Sequence, residues 1–429
     1  MKAKQCVLAY SGGLDTSAIV YWLVEHGYEV HAVLVDVGQN DDFDALCQKA
    51  VRHGAASAVV RDAKPAMCAT ILPFAAGLGA TYEGCYRLGT ALARPFIALE
   101  QVRRAKELGG ATLVHGATGK GNDQIRFEFA YRSLAPECPV LAPWKVWSLS
   151  GREDLVNYLR KRGCTDSFEV TKTYSLDENL WHLSIEGGAL EDPGSLIDVE
   201  SIIATVRGKS EPTTDGGELV RITFEQGVPV GLNGREIGVG GVIDALNASY
   251  AGAPWAWDML IENRFTGIKS RGVYINPAAK LLHMGADALA RCMLNKPSYD
   301  QYLSFGRTYG AMIYRGEYFS DQRLTLEAAA RTLMAKMTGT ATIRVGGNPY
   351  VASIDISDSI FKSDLATFEK SSFDQSSAKG FIDLTWLSSI GRPFTEAGNE
   401  HALDAAHAPS SDVCGNQPVH GGGLVSSAV

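Results

Sequence analysis

Paired cysteines are missing from this chain. The eight it has, Cys6, Cys47, Cys68, Cys85, Cys138, Cys164, Cys292 and Cys414, include no Cys-x-x-Cys, so a zinc knuckle or a dithiol redox site has no support. They read as separate thiols in a reducing compartment. No apolar run is long enough to cross a bilayer. The opening Met1-Lys2-Ala3-Lys4 runs straight into a short apolar stretch without a cleavage-type segment. A cytoplasmic protein is the expectation. Basic charge is scarce as well: the formal net charge is −8, and the densest basic run is Arg160-Lys161-Arg162. Gripping long nucleic acid calls for a basic field, so neither nucleic acid nor membrane is an expected partner.

What is present is an ordinary globular composition over 429 residues, 45% apolar and 21% charged, enough for two or three domains. The first third alternates strand and helix patterns. Residues 5–10, 29–36, 56–60 and 111–115 read as strands, and 16–26, 43–53 and 95–108 as helices. Such alternation implies βαβ units and a parallel sheet covered on both faces. The middle third has more glycines and turn pairs. Strands at 219–224, 340–345 and 350–354 and helices at 277–294 and 324–338 suggest a mixed α+β region. The stretch from about 393 is rich in Ala, Ser, Gly and His without apolar periodicity and reads as disordered.

The strongest motif is Ala9-Tyr10-Ser11-Gly12-Gly13-Leu14-Asp15-Thr16-Ser17. A buried strand ends, two glycines turn the chain, and a helix begins. Unpaired N–H groups and the dipole at a helix start favour an anion, and Ser11, Thr16 and Ser17 add hydroxyl donors. The spacing is neither that of a Walker loop nor of a dinucleotide fingerprint. Ser-Gly-Gly-x-Asp-x-Ser resembles the pyrophosphate loop of enzymes that split ATP between its α and β phosphates. A plain strand–turn–helix capped by Asp15 or Thr16 is the alternative.

A second polar loop, His115-Gly116-Ala117-Thr118-Gly119-Lys120-Gly121-Asn122-Asp123-Gln124-Ile125-Arg126-Phe127-Glu128, also follows a strand. Its density of Thr, Asn, Asp and Arg suits a small zwitterion, since Asp can hold an ammonium and Arg a carboxylate. A structural loop capped by Asn-Asp is the alternative here.

Together these loops resemble argininosuccinate synthase. Further stretches agree: Tyr82-Glu83-Gly84, Leu88-Gly89-Thr90, Ala93-Arg94-Pro95, Tyr174-Ser175-Leu176-Asp177-Glu178-Asn179, Ser184-Ile185-Glu186, Glu262-Asn263-Arg264-Phe265 and Lys269-Ser270-Arg271-Gly272-Val273-Tyr274. The likeness spans about residues 5 to 390. It implies an α/β fold with a parallel-sheet nucleotide-binding domain of the pyrophosphate-loop (adenine nucleotide alpha hydrolase-like) type at 1–165. A mixed α+β synthetase domain would follow at 170–370, with an oligomerisation segment at 371–392 and a homotetramer as the assembly. ATP would be held by Ala9, Tyr10, Ser11, Gly12, Gly13, Leu14, Asp15, Thr16, Ser17, Val35 and Gly116. Aspartate would be held by Thr118, Asn122 and Asp123, and citrulline by Tyr86, Asn122, Arg126, Ser175, Ser184, Glu262 and Tyr274. A Mg2+ ion, whose protein ligands the sequence does not name, would accompany the nucleotide.

Three departures from the family pattern fall near the acceptor motifs. Ala91 stands where Leu-Gly-Thr is usually followed by Ser. Ala253-Pro254-Trp255-Ala256-Trp257 replaces His-Gly-Val-Gly-Arg, and Tyr274-Ile275-Asn276-Pro277 replaces Tyr-Glu-x-Pro. They raise the alternative of a paralogue that adds aspartate to another ureido or carboxyl acceptor. A non-catalytic nucleotide-binding protein is the rival of a different class, and the undamaged Ser11, Gly12, Gly13 and Asp15 argue against it.

Overall fold

The computed structural model describes residues 4–168, 174–207, 217–369 and 372–391; the expectation for 393–429 lies outside them. Five strands form the first sheet: β1 (Lys4–Ala9), β2 (Tyr28–Asp36), β3 (Ser57–Asp62), β4 (Thr112–Val114) and β5 (Val140–Leu141). Their order is β3-β2-β1-β4-β5, and every pairing is parallel. Burial on both faces explains the near-continuous apolar run of β2, in which Val30 to Val35 are all buried. The order reverses direction between β1 and β4. Loops leaving the carboxyl ends of those two strands part there and open a crevice, the place where such sheets take their ligands. The two polar loops are the ones that leave these strands.

Two antiparallel sheets follow. β6 (Ser175–Asn179), β7 (His182–Glu186), β11 (Trp257–Asn263) and β12 (Lys269–Ile275) make one in the order β11-β12-β7-β6. β8 (Glu218–Glu225), β9 (Val228–Leu232), β10 (Arg235–Glu236), β13 (Gly339–Val345) and β14 (Tyr350–Asp355) make the other in the order β10-β9-β8-β13-β14. The turn from β6 to β7 is anchored on the first sheet: the Leu180 N–H donates to the Val37 carbonyl at 2.7 Å. The fully buried Trp181 beside it donates its indole N–H to the Arg87 carbonyl at 2.8 Å. This anchoring brings β6 and β7 up to the crevice.

The helix expected at 95–108 begins earlier, as Gly89–Glu107, with Pro95 inside it. Proline in the second turn forgoes one backbone hydrogen bond, and the buried Leu92, Ala93 and Phe96 around it hold that turn by packing. The described residues divide into two units, one up to Phe361 and a second from Lys362. Within the second, helix Ser377–Ser389 exposes Phe381, Ile382, Leu384 and Leu387. Among the described residues no helix is long and apolar enough to cross a membrane.

Candidate active site

The turn after β1 leads into a helix start without a side-chain cap, and its Gly13 N–H reaches back to Ser11 Oγ at 3.5 Å. Gly12 sits at φ +71°, in the left-handed region, and a Cβ there would lie 2.3 Å from Leu46 Cδ2. Gly13 is extended, and helix Leu14–Glu25 starts on it with no side-chain cap. The alternative of a cap from Asp15 or Thr16 therefore fails. Thr16 instead lies 3.2 Å from the Ser11 hydroxyl and donates to the Gly13 carbonyl at 3.3 Å. Lys49 Nζ holds the turn from the far side by donating to the Gly12 carbonyl at 2.8 Å. Burial raises the Asp15 carboxyl.

A cleft of about 1050 Å³ opens in front of this turn. Ala9, Tyr10, Ser11, Gly13, Asp15, Thr16, Val35 and Gly116 line it. Gly12, Leu14 and Ser17, expected with them, do not. Leu14 packs on Leu155, Val156 and Leu159, and Ser17 is wholly buried. In a helix beginning at residue 14, only some of the first residues can face the crevice.

The second loop lines the same cleft with Thr118, Asn122, Asp123 and Arg126. Asn122 is not a side-chain cap either. Its amide donates to the Tyr314 hydroxyl at 2.9 Å, and its carbonyl oxygen accepts from the Phe265 N–H at 2.8 Å. Asp123 is held between two arginines, accepting from Arg94 Nε and from Arg126, each at 2.9 Å. Arg94 also donates to Asp177 on β6. Arg126 donates to the Tyr314 carbonyl at 3.0 Å.

Facing them, β6, β7 and β11 contribute Ser175, Ser184, Glu186 and Glu262 to the cleft wall, together with Tyr86. Arg264 donates to Glu186 at 2.8 Å and stands 3.9 Å from Glu262. Glu262 is buried and its Oε2 has no hydrogen-bond partner. Burial, and then the neighbouring Glu186, push its carboxyl up to about 7. Tyr274, also expected here, lies behind the wall: it is buried, its hydroxyl has no partner, and its ring meets Tyr86 edge-on at 5.0 Å. Burial raises the Tyr86 phenol. Thr90, Arg94, Asp177, Glu186 and Arg264 are cleft residues that the residue-by-residue expectation left out. Each belonged to one of the motif stretches, which was the signal available. Tyr314, the partner of Asn122, had no such signal.

Two polar loops at a strand-order reversal and a row of paired charges opposite them fit one family, and the comparison with known sequences decides the matter. Residues 5–165 match the arginosuccinate synthase N-terminal HUP domain, and residues 174–390 match the arginosuccinate synthase C-terminal domain. The chain belongs to the argininosuccinate synthase family. Argininosuccinate synthase from Cronobacter sakazakii is 39% identical over 398 residues, covering 92% of this chain and 98% of that one. Those from Caldicellulosiruptor saccharolyticus and Caldanaerobacter subterraneus are each 38% identical, covering 90% and 94% of this chain and 96% and 99% of theirs. This is a family of carbon–nitrogen ligases of arginine biosynthesis with ATP as a substrate, and the chain is a ligase of that type.

Against that family pattern, the three departures sit outside the cleft wall. Ala91 is fully buried in the helix Gly89–Glu107, and it is Thr90 that lines the cleft. Ile275 is buried among Leu183, Ile185 and Val273, with Trp257 packed on the same cluster. Trp255 packs against Tyr250, with ring centroids 5.5 Å apart.

Proposed function

We propose that this enzyme joins L-citrulline and L-aspartate into argininosuccinate through a citrullyl-AMP intermediate, releasing AMP and pyrophosphate. The observation that carries this reading is one cleft holding both an uncapped helix start and the buried, unpartnered carboxylate oxygen of Glu262. The first suits a triphosphate, the second the ammonium of an amino-acid acceptor. The ureido oxygen attacks the α-phosphorus of ATP, and the bond to the β-phosphate oxygen breaks. Backbone N–H groups of the uncapped helix start, with the Ser11 and Thr16 hydroxyls, stabilise the charge growing on pyrophosphate. The aspartate amine then attacks the ureido carbon, loses a proton, and AMP departs. Holding both amino acids against one activated carbon supplies much of the rate.

Ala9 to Ser17, Val35 and Gly116 form the ATP site in this reading, with Gly12, Leu14 and Ser17 shaping the turn from behind. Thr118, Asn122 and Asp123 receive aspartate. Tyr86, Asn122, Arg126, Ser175, Ser184 and Glu262 receive citrulline, with Tyr274 supporting Tyr86. The oxygen donors at the turn, Ser11, Asp15 and Thr16, suit Mg2+ carried in on the phosphates, where it would neutralise their charge. The positions of Ala91, Trp257 and Ile275 off the cleft wall favour citrulline over another acceptor. A nucleotide-binding domain at 1–165 and a synthetase domain at 170–370 complete the reading. The exposed apolar side chains of helix Ser377–Ser389 support its role in a cytoplasmic homotetramer.

Pyrophosphate release tests this with purified protein, Mg2+, ATP and aspartate, with and without citrulline. Citrulline-dependent release with AMP and argininosuccinate formed in equal amounts is expected. Silence with citrulline from protein that still binds ATP overturns the choice of acceptor.

A further inference from the structure

Outside the cleft, three side chains from two distant stretches converge on a single point. His53 ends helix Phe43–Arg52, and Cys164 and Asp166 lie beyond helix Arg152–Arg160. His53 Nε2 is 2.9 Å from Asp166 Oδ2 and 3.8 Å from Cys164 Sγ, and the three atoms lie within 4.8 Å of one another. The His53 side chain is only 3% exposed. None of the three lines the active-site cleft. Cys164 and Asp166 instead line a separate cavity of about 330 Å³, walled by Val156, Leu159 and Phe168 among others.

A nucleophile–base–acid relay needs the thiol and the carboxylate on opposite nitrogens of the imidazole. Here both address Nε2, and Nδ1 is buried without a partner. One nitrogen proton serves one acceptor, so His53 cannot donate to Asp166 and Cys164 at once; the Tyr21 hydroxyl is a further neighbour of the Cys164 thiol, and Lys49 of Asp166. A metal ion uses His53, Cys164 and Asp166 together. Bond lengths of about 2.0–2.3 Å in a tetrahedral zinc site set its ligand atoms roughly 3.3–3.7 Å apart, a range that the 2.9 and 3.8 Å separations bracket.

We propose that His53, Cys164 and Asp166 bind a thiophilic divalent cation of the zinc class, with the fourth position open to water from the adjoining cavity. Binding releases the Cys164 thiol proton to solvent and moves the imidazole proton to Nδ1. The thiolate and the carboxylate then balance the ion's two charges. Lys49, 3.5 Å from Asp166, keeps the Gly12 carbonyl as its acceptor. Three protein ligands and an unsupported Nδ1 make the ion exchangeable rather than permanently held.

The test titrates chelator-treated full-length protein with Co2+ and follows the near-ultraviolet thiolate-to-cobalt band, then adds Zn2+ to displace it. Wild type should show a saturable band that Zn2+ removes. Cys164→Ser and His53→Gln should lose the band, and Cys292→Ser, which changes a distant thiol, should keep it. Circular dichroism and ATP binding separate loss of the site from loss of the fold. If either variant unfolds, Asp166→Asn replaces it, retaining the band while weakening zinc by about tenfold or more. A wild type without the band, a band that survives Cys164→Ser and His53→Gln, or an Asp166→Asn protein that binds zinc as tightly as wild type, overturns the proposal.

Discussion

Trp257 stands directly opposite Ile275 across the antiparallel ladder of β11 and β12. The arginine of His-Gly-Val-Gly-Arg and the glutamate of Tyr-Glu-x-Pro fall on these two positions. What reads in the sequence as two separate departures is therefore one cross-strand exchange of a charged pair for an apolar one, at contact distance on a shared face. Trp257 also donates its indole N–H to the Ala251 carbonyl at 2.9 Å, so its polar atom is satisfied. Ile275→Glu alone should destabilise the protein by on the order of 3 kcal/mol, because a carboxylate enters an apolar cluster without a partner. Adding Trp257→Arg should recover at least half of that in thermal unfolding. If the pair acts only in packing, kcat/KM for citrulline should stay within about threefold in the double variant.

Gly89 lies against the His182 ring: a Cβ there would sit 1.8 Å from its Cε1 and Nε2. His182 is buried beside Tyr86 and Tyr274, and burial, followed by Arg94 and Arg126, lowers it to about 3, so it works as a neutral ring. Gly89→Ala should cost about 3 kcal/mol through overpacking. His182→Ala in the same chain should restore part of the melting temperature, since it removes the clash. A Gly89→Ala protein that melts with wild type would show that the ring moves aside freely.

Glu262 ties stability and acceptor binding to pH. Its carboxyl is raised from 4.5 to about 7, so the folded state keeps a proton that the unfolded chain releases near 4.5. The stability this lends is present below about 4.5 and fades as pH rises to about 7. Wild type should therefore lose stability relative to Glu262→Gln across that window and then run parallel to it. In the proposed reading, binding the citrulline ammonium needs the ionised form. KM for citrulline should climb below pH 7 by up to about tenfold per unit, and this slope should vanish in Glu262→Gln.

Arg94 links Asp123 to Asp177, and thereby the second polar loop to β6. Truncation to Ala leaves two carboxylates facing each other, at a cost of about 2–4 kcal/mol in a site that water partly reaches. KM for aspartate should rise more than KM for ATP. Adding Asp177→Asn should return part of the stability by removing one of the stranded charges, which a double-mutant cycle measures.

The parallel sheet was legible because β1, β2 and β4 are short apolar runs that end in glycine or polar turns, and burial on both faces leaves no other pattern. The glycine turn after β1 was legible for the same reason. Helix Gly238–Tyr250 was not: its glycines argue against a helix, although Val242, Ile243, Leu246 and Tyr250 are the buried residues and recur at helical spacing. At the site, the carboxylates and hydroxyls could be named from motifs, but their pairing could not. Nothing local in the chain says that Asn122 spends both ends of its amide on Tyr314 and Phe265, or that Arg94 reaches Asp177 across 83 positions. Those links form only when β6 and β7 are anchored on the first sheet.

The row of Asp177, Arg94, Asp123 and Arg126 has a further consequence for selection among ligands. Each charge there already has an opposite neighbour, so a guest gains only by trading places with one. A ligand of a single sign would take one partner and abandon the other. A zwitterion can replace both halves of a pair at once, leaving no orphan. The cleft thus screens for molecules that carry both signs at the right separation before any chemistry begins.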